Sequence, residues 1–233
     1  NIRIRLCNFT PTRAFAKEII FGGTPSLSRQ GLGSIATLML NVAAGAFGDA
    51  AIAGMSIVTR ISFFTYAMVI GLGQGFQPLC GFCYGAKLYG RVKEAFFFCI
   101  KCGTVFLSVC ALLGFIFSTS IISIFRDDAA VVAVGSVALR WQVLSFPLVA
   151  SIVLTNMLMQ TIRKPVRANI VAAARSGLFF IPLIFILPYF FGLLGVEMCQ
   201  MWADCCSFAV AVPIAWSAFR DMRREQMELG KSH

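Results

Sequence analysis

The residues able to do chemistry in this chain are few, and most sit inside apolar runs. Gln30, Asn41, Arg60, Gln74, Gln77, Asn156, Gln160, Arg175, Gln200 and Asp204 are the polar or charged side chains that fall within long hydrophobic stretches. Asp204 reads as the only carboxylate well inside such a stretch. A carboxyl in low dielectric either takes up a proton or finds a permanent cationic partner; Arg60, Arg140 and Arg175 are the available cations, and the pair is the favoured reading. Arg60 either finds a buried partner or snorkels its head to the nearer interface. Gln30, Ser34, Thr37 and Asn41 recur at spacings of four, three and four, which draws one polar stripe along a helix. Such a stripe faces other helices or a wet cavity.

Other chemistries lack material. The single histidine is His233, at the last position, so no nucleophile–base pair can be assembled and no enzyme is expected. Cys80, Cys83, Cys99 and Cys102 have the spacing of a four-cysteine zinc site. Both pairs lie in apolar helical sequence on either side of a turn, so their sulfurs would not converge on one ion; no metal is expected. Gly71, Gly73 and Gly75 lack the preceding strand and following Lys-Ser/Thr of a phosphate loop. Nine cysteines, an odd number lying mostly in apolar runs, give no disulfide framework. No cofactor is implied.

These residues must be positioned by membrane helices. Of the 233 residues, 58% are hydrophobic and only 13% charged, and the mean hydropathy is +0.82. Soluble domains carry about 25% charged residues, and the apolar runs here reach the ~20 residues of a membrane span. The fold class is therefore an all-α integral membrane protein. Six transmembrane helices are expected over about 25–47, 51–78, 91–119, 129–160, 168–191 and 196–218. An amphipathic lead-in occupies 1–23 and a basic tail 219–233. The helix over 129–160 is too long for the bilayer, so it must tilt, project or bend at Pro147. Pro182 and Pro188 are expected to kink the fifth helix. Asn8-Phe9-Thr10 fits a glycosylation sequon by chance if the lead-in is cytoplasmic. Because the first residue is Asn1, the chain is expected to begin partway through a longer protein.

The net charge of +10 is distributed unevenly. Six spans place Arg3, Arg5, Arg13, Lys17, Lys87, Arg91, Lys93, Arg163, Lys164, Arg167, Arg220, Arg223, Arg224 and Lys231 on one side. The opposite loops hold only Arg126. That asymmetry is the positive-inside pattern. It puts both termini in the cytoplasm and accounts for the basic excess without a nucleic-acid partner.

One stretch carries a family likeness. Gly73-Gln74-Gly75-Phe76-Gln77-Pro78 is followed by Tyr84-Gly85-Ala86-Lys87. Gly23-Thr-Pro-Ser with Arg29-Gln30 precedes it. Gln160, Arg175-Ser-Gly-Leu, Ile181-Pro182-Leu183, Leu187-Pro188, Gly192, Gly195-Val196 and Trp202-Ala203-Asp204 follow. In this order the chain resembles the C-terminal half of a MATE (multidrug and toxic compound extrusion) transporter of the bacterial multidrug-efflux branch.

The resemblance implies one six-helix lobe of a twelve-helix exporter in the inner (plasma) membrane of a bacterium. Its partners would be the bilayer, an N-terminal six-helix lobe and small-molecule drugs, with proton or sodium as coupling ion. On this reading Gln30, Ser34, Thr37, Asn41, Phe63, Tyr66 and Asn156 line the substrate cavity. The sodium-coupled branch carries a glutamate in the first helix of this lobe and an aspartate in the fourth. Here the only carboxylate near the first is Glu18, ahead of the span, and the fourth has none. The coupling carboxylate is then expected in the other lobe, with Asp204 as the weaker candidate. A lipid-linked saccharide flippase of the same superfamily would need a strongly basic cavity, to which only Arg60, Arg140 and Arg175 could contribute. A truncated, non-transporting fragment is the remaining alternative.

Overall fold

The computed structural model describes residues 12–231. The side chains of 14–19, 21, 22, 24–26, 28, 29 and 229–231 lie outside the description. So do Cys7, the Asn8–Thr10 sequon, Arg3, Arg5 and His233, together with the side chains of Lys17, Glu18, Thr24, Pro25, Arg29 and Lys231.

The described residues are almost entirely helical. The elements are α1 (Arg13–Gly45), α2 (Asp49–Gly85), α3 (Tyr89–Ile116), α4 (Ser118–Phe125), α5 (Ala129–Leu144), α6 (Phe146–Thr161), α7 (Pro165–Ala173), α8 (Phe180–Phe191) and α9 (Leu193–Lys231). A π-helical turn, Ala174–Leu178, joins α7 to α8. By length and composition α2, α3, α7 through α8, and α9 can each cross a membrane. So can α5 and α6 taken together, bent by 55°. α1 is not in that group, although it runs for 33 residues; its glycines and its Gln30–Asn41 stripe dilute the apolar content.

The helices run further than apolar content alone predicts. α2 continues through Pro78 to Gly85, because proline removes one backbone bond without stopping a helix whose flanking turns are sound. The first backbone break after the Gly73–Pro78 signature comes at Ala86–Leu88. There the Leu88 N–H reaches back to the Cys83 carbonyl at 2.8 Å, and Lys87 takes φ 59°. α6 ends the same way: Lys164 N–H bonds the Met159 carbonyl at 3.0 Å, and Arg163 takes φ 56°. Both are Schellman closures with a basic residue where glycine is usual.

Two irregularities shape the interior. The expected bend near Pro147 falls at Ser145, between α5 and α6. The Pro147 ring cannot follow a continuous helix, because it clashes with the carbonyl four residues earlier. In the fifth span the irregularity lies upstream of Pro182. The Phe179 N–H bonds the Ala174 carbonyl at 3.2 Å, five residues back, and Pro182 would otherwise meet the carbonyl of Leu178.

Packing forms two apolar clusters. The larger joins Leu40, Val58, Val69, Leu139, Phe146, Met157, Phe180 and Cys199. The second, towards the 85–88 and 162–164 turns, gathers Phe76, Phe96, Leu158, Met159, Ala218 and Met222, with Cys80, Cys83 and Cys99 among them. Cys102 is exposed, and no three metal-ligating side chains converge among the described residues. Phe98, Val105, Leu112, Ile124, Phe190 and Trp216 face outward, as expected of a bundle whose solvent is lipid.

Candidate functional site

The interior polar groups converge on Asp204. It is fully buried on α9, brought inward by the stripe Gln200–Asp204–Ser207. Arg175 Nε donates to Asp204 Oδ1 at 2.8 Å. Gln200 Nε2 donates to the same oxygen at 3.0 Å. Ser145 Oγ donates to Oδ2 at 2.8 Å, with the Gln142 carbonyl at 2.9 Å as its alternative acceptor. Gln142 Nε2 in turn donates to Tyr66 Oη at 2.9 Å. The Arg175 guanidinium lies over the Tyr66 ring, 4.6 Å from its centroid.

Each irregularity has a purpose in this network. The break at Ser145 frees its hydroxyl to meet Asp204, and the π turn carries Arg175 at its second position. A buried pair is tolerated where its remaining valences are hydrogen-bonded. Asp204 satisfies this condition, with three donors on its two oxygens.

Beside this network lies a cavity of about 500 Å³. Gln30, Ser34 and Thr37 of α1 line it, with Thr59, Ser62, Phe63 and Tyr66 of α2, Gln142 of α5, Arg175 and Ser176 of the π turn, and Gln200 of α9. Met55, Val58, Ile70, Val153 and Phe180 supply its apolar surface. Arg175 is the single charged residue among those lining it.

The predicted residues divide. Gln30, Ser34, Thr37, Phe63 and Tyr66 lie against the cavity. The Ser34 and Thr37 hydroxyls also donate to their own helix, to the Gln30 and Gly33 carbonyls. Asn41 is not in the lining; it stands one turn beyond Thr37. Asn156 is buried elsewhere, donating to the Ala168 carbonyl at 2.7 Å and accepting from Gln160. It ties α6 to α7, one turn beyond Val153, the α6 residue that lines the cavity. Of the three cations weighed for Asp204, Arg175 takes the place. Arg60 is exposed. Arg140 donates to Ser118 Oγ at 2.8 Å and approaches the Phe115 ring.

Among the signature residues, Gly73 is buried where a side chain would meet the Met157 sulfur. Gly75 has open space, and Gln74 and Pro78 are exposed. Gln77 is half-buried. Gly85, Ala86 and Lys87 form the Schellman closure.

Sequence reasoning passed over Gln142, Ser62, Ser176 and Thr59. Gln142 stands three residues before Ser145, the only hint of its role. It also passed over Glu197, which is buried like Asp204, one turn into α9.

The MatE family model matches residues 25–186. The chain is 27% identical over 216 residues to the multidrug export protein MepA of Staphylococcus saprophyticus, covering 92% of this chain and 47% of that protein. It is 28% identical over 217 residues to MepA of Staphylococcus aureus strain N315, covering 93% and 47%. Its fold matches the Vibrio cholerae MATE transporter VcmN in the bent form, with a TM-score of 0.83 at 18% identity, over 91% of this chain and 49% of that one. It also matches a MOP superfamily transporter from Pyrococcus furiosus, with a TM-score of 0.86 at 19% identity, over 95% and 50%. The chain thus spans about half the length of these relatives. A half-length bundle of apolar helices with the family model lying over most of its length settles the assignment: the chain belongs to the MATE family.

Proposed function

We propose that this chain is the C-terminal lobe of a cation-coupled multidrug antiporter. Lipophilic compounds would be held between it and an N-terminal lobe and exported by alternating access. The observation that carries this reading is the cavity: about 500 Å³, with hydroxyl, amide and aromatic groups from α1, α2, α5, α8, α9 and the π turn. Sites of this size and mixed lining suit drug-sized molecules. The rocking of two repeats about a central site is the expected mechanism. The flippase reading is less well supported, since of Arg60, Arg140 and Arg175 only Arg175 reaches the cavity, and it is paired. With Asp204 held by Arg175, Ser145 and Gln200, we place the coupling carboxylate in the partner lobe.

The test uses the whole transporter in proteoliposomes loaded with ethidium. An imposed proton or sodium gradient is expected to drive dye against its own gradient. If neither gradient moves dye, coupled export is not its activity.

A further inference from the structure

We propose that Arg175, Ser62 and Tyr66 form a subsite for the carboxylate of an aromatic small molecule. This rests on the reading of the cavity as the substrate site. The Arg175 side chain is 21% exposed and lines the cavity. It spends only Nε on Asp204. Its two terminal nitrogens, which carry four N–H donors, make no bond to Asp204; the Tyr66 hydroxyl is the one described side chain beside them that can accept. A guanidinium fork of this kind matches the two oxygens of a carboxylate.

Ser62 supplies the second, independent observation. It is 6% exposed and lines the same cavity, yet its Oγ has no partner. A buried hydroxyl left unpaired costs free energy; this oxygen is closed off in this structure, so a carboxylate that shifts the neighbouring side chains would gain its bond. Ser62 stands one turn from Tyr66 on the same face of α2, and the Tyr66 ring carries the guanidinium. No carboxylate is among the residues lining the cavity; Asp204, which offsets part of the Arg175 charge, is fully buried and held on Nε, away from the terminal nitrogens. Phe63 and Phe180 of the same wall offer surface for an aromatic ring. Asp204 keeps its Nε bond while the fork is occupied, so binding does not require the buried pair to open. A substrate bearing both charges would place its acidic end here and its cationic end towards the other lobe.

The experiment measures equilibrium binding to the purified whole transporter in neutral detergent, by dansyl fluorescence anisotropy. The probes are dansylglycine and its uncharged counterpart, dansylglycinamide. The acid is expected to bind about tenfold more tightly than the amide. Because Arg175→Gln would strand Asp204, the variants are Arg175→Lys and Ser62→Ala. Arg175→Lys keeps the charge but loses the fork; Ser62→Ala leaves the pair untouched. Each should reduce the preference for the acid at least threefold. Equal affinities for acid and amide, binding of neither, or a preference unchanged in both variants would overturn the subsite. Displacement of the acid by an equal concentration of phosphatidylglycerol would reassign the fork to a lipid headgroup, and also overturn it. Binding is read without transport, so a failed efflux assay refutes the exporter reading and leaves this result standing.

Discussion

Asp204, on the inner face of α9, is the residue on which two breaks in regularity meet: the α5–α6 bend and the π turn. Its value is a matter of partnership. Removing one member of a buried ion pair leaves an uncompensated charge, which costs about 3–5 kcal/mol. Asp204→Asn strands the Arg175 cation and is expected to lower the melting temperature of the detergent-solubilised protein by several degrees. Neutralising both, with Asp204→Asn and Arg175→Gln together, should restore most of that loss. A double variant that melts no higher than the single one would show that the pair does not hold the lobe together. Dye efflux separates structure from coupling. Efflux recovered with stability makes Asp204 a strut, whereas efflux lost at full stability makes it a proton carrier. That Asp204 pairs with an arginine could be read from the sequence, since an intramembrane carboxylate wants a cation. Which arginine it takes could not, because Arg60, Arg140 and Arg175 are equivalent by composition. The π turn that swings Arg175 inward has no strong sequence mark beyond Pro182.

At the scale of elements, close helix crossings are set by glycines that sequence alone does not single out. A Cβ on Gly54 of α2 would lie 3.1 Å from the Gly135 backbone nitrogen of α5, and backbone cannot step aside as a side chain can. Gly54→Val is therefore expected to destabilise by about 1–3 kcal/mol, the usual range for overpacking. The measurement is the folded fraction after a graded heat challenge, read by size-exclusion chromatography. Gly75→Ala, facing open space, serves as the tolerant comparison; equal losses in both would refute the crossing argument. The reverse case is Lys87, a non-glycine residue at φ 59°. Lys87→Gly relieves the left-handed strain of a side chain, while removing a cation from a helix C-terminus. The two effects are of similar size, so a shift in melting temperature under about 3 °C is expected. The glycine-rich signature marked this region as a family likeness without saying which glycine packs. α2 runs unbroken through Gly71, Gly73 and Gly75, and of the three only Gly73 is a contact. The boundary at Asp128 was better marked: Asp128 caps α5 by accepting the Ala130 N–H at 2.9 Å, an ordinary start signal. Pro165 opens α7 three residues before the expected start at about 168, although proline at the first turn is itself a start signal.

For the molecule as a whole, the remaining question is which way it faces, and the structure adds local chemistry to the charge count. α9 spans 39 residues, about 58 Å at 1.5 Å per residue, nearly twice the ~30 Å hydrocarbon core. Its far end must stand outside the bilayer. There Lys164 and Arg167 both bind Asp221, at 2.6 and 3.0 Å, and Tyr89 donates to Glu225 at 2.7 Å. The basic turn after α6, the start of α3 and the tail of α9 are thus tied into one polar end, the end that also carries Lys87, Arg91 and Lys93. A membrane protein keeps its basic end in the cytoplasm, so this end, and with it the C-terminus, is expected inside the cell. Fluorescent protein fused after His233 should therefore fold and fluoresce, as it does only in the cytoplasm. Alkaline phosphatase fused after Asp127, in the loop holding the lone Arg126, should be active, as it is only outside. Active phosphatase after Lys87 would reverse the orientation. Charge reversal at Lys87, Arg91 and Lys93 together should weaken the topology more than the same changes at Lys164 and Arg167. The first three have no ion-pair partner among the described residues, whereas the latter share Asp221, which offsets one of their two charges.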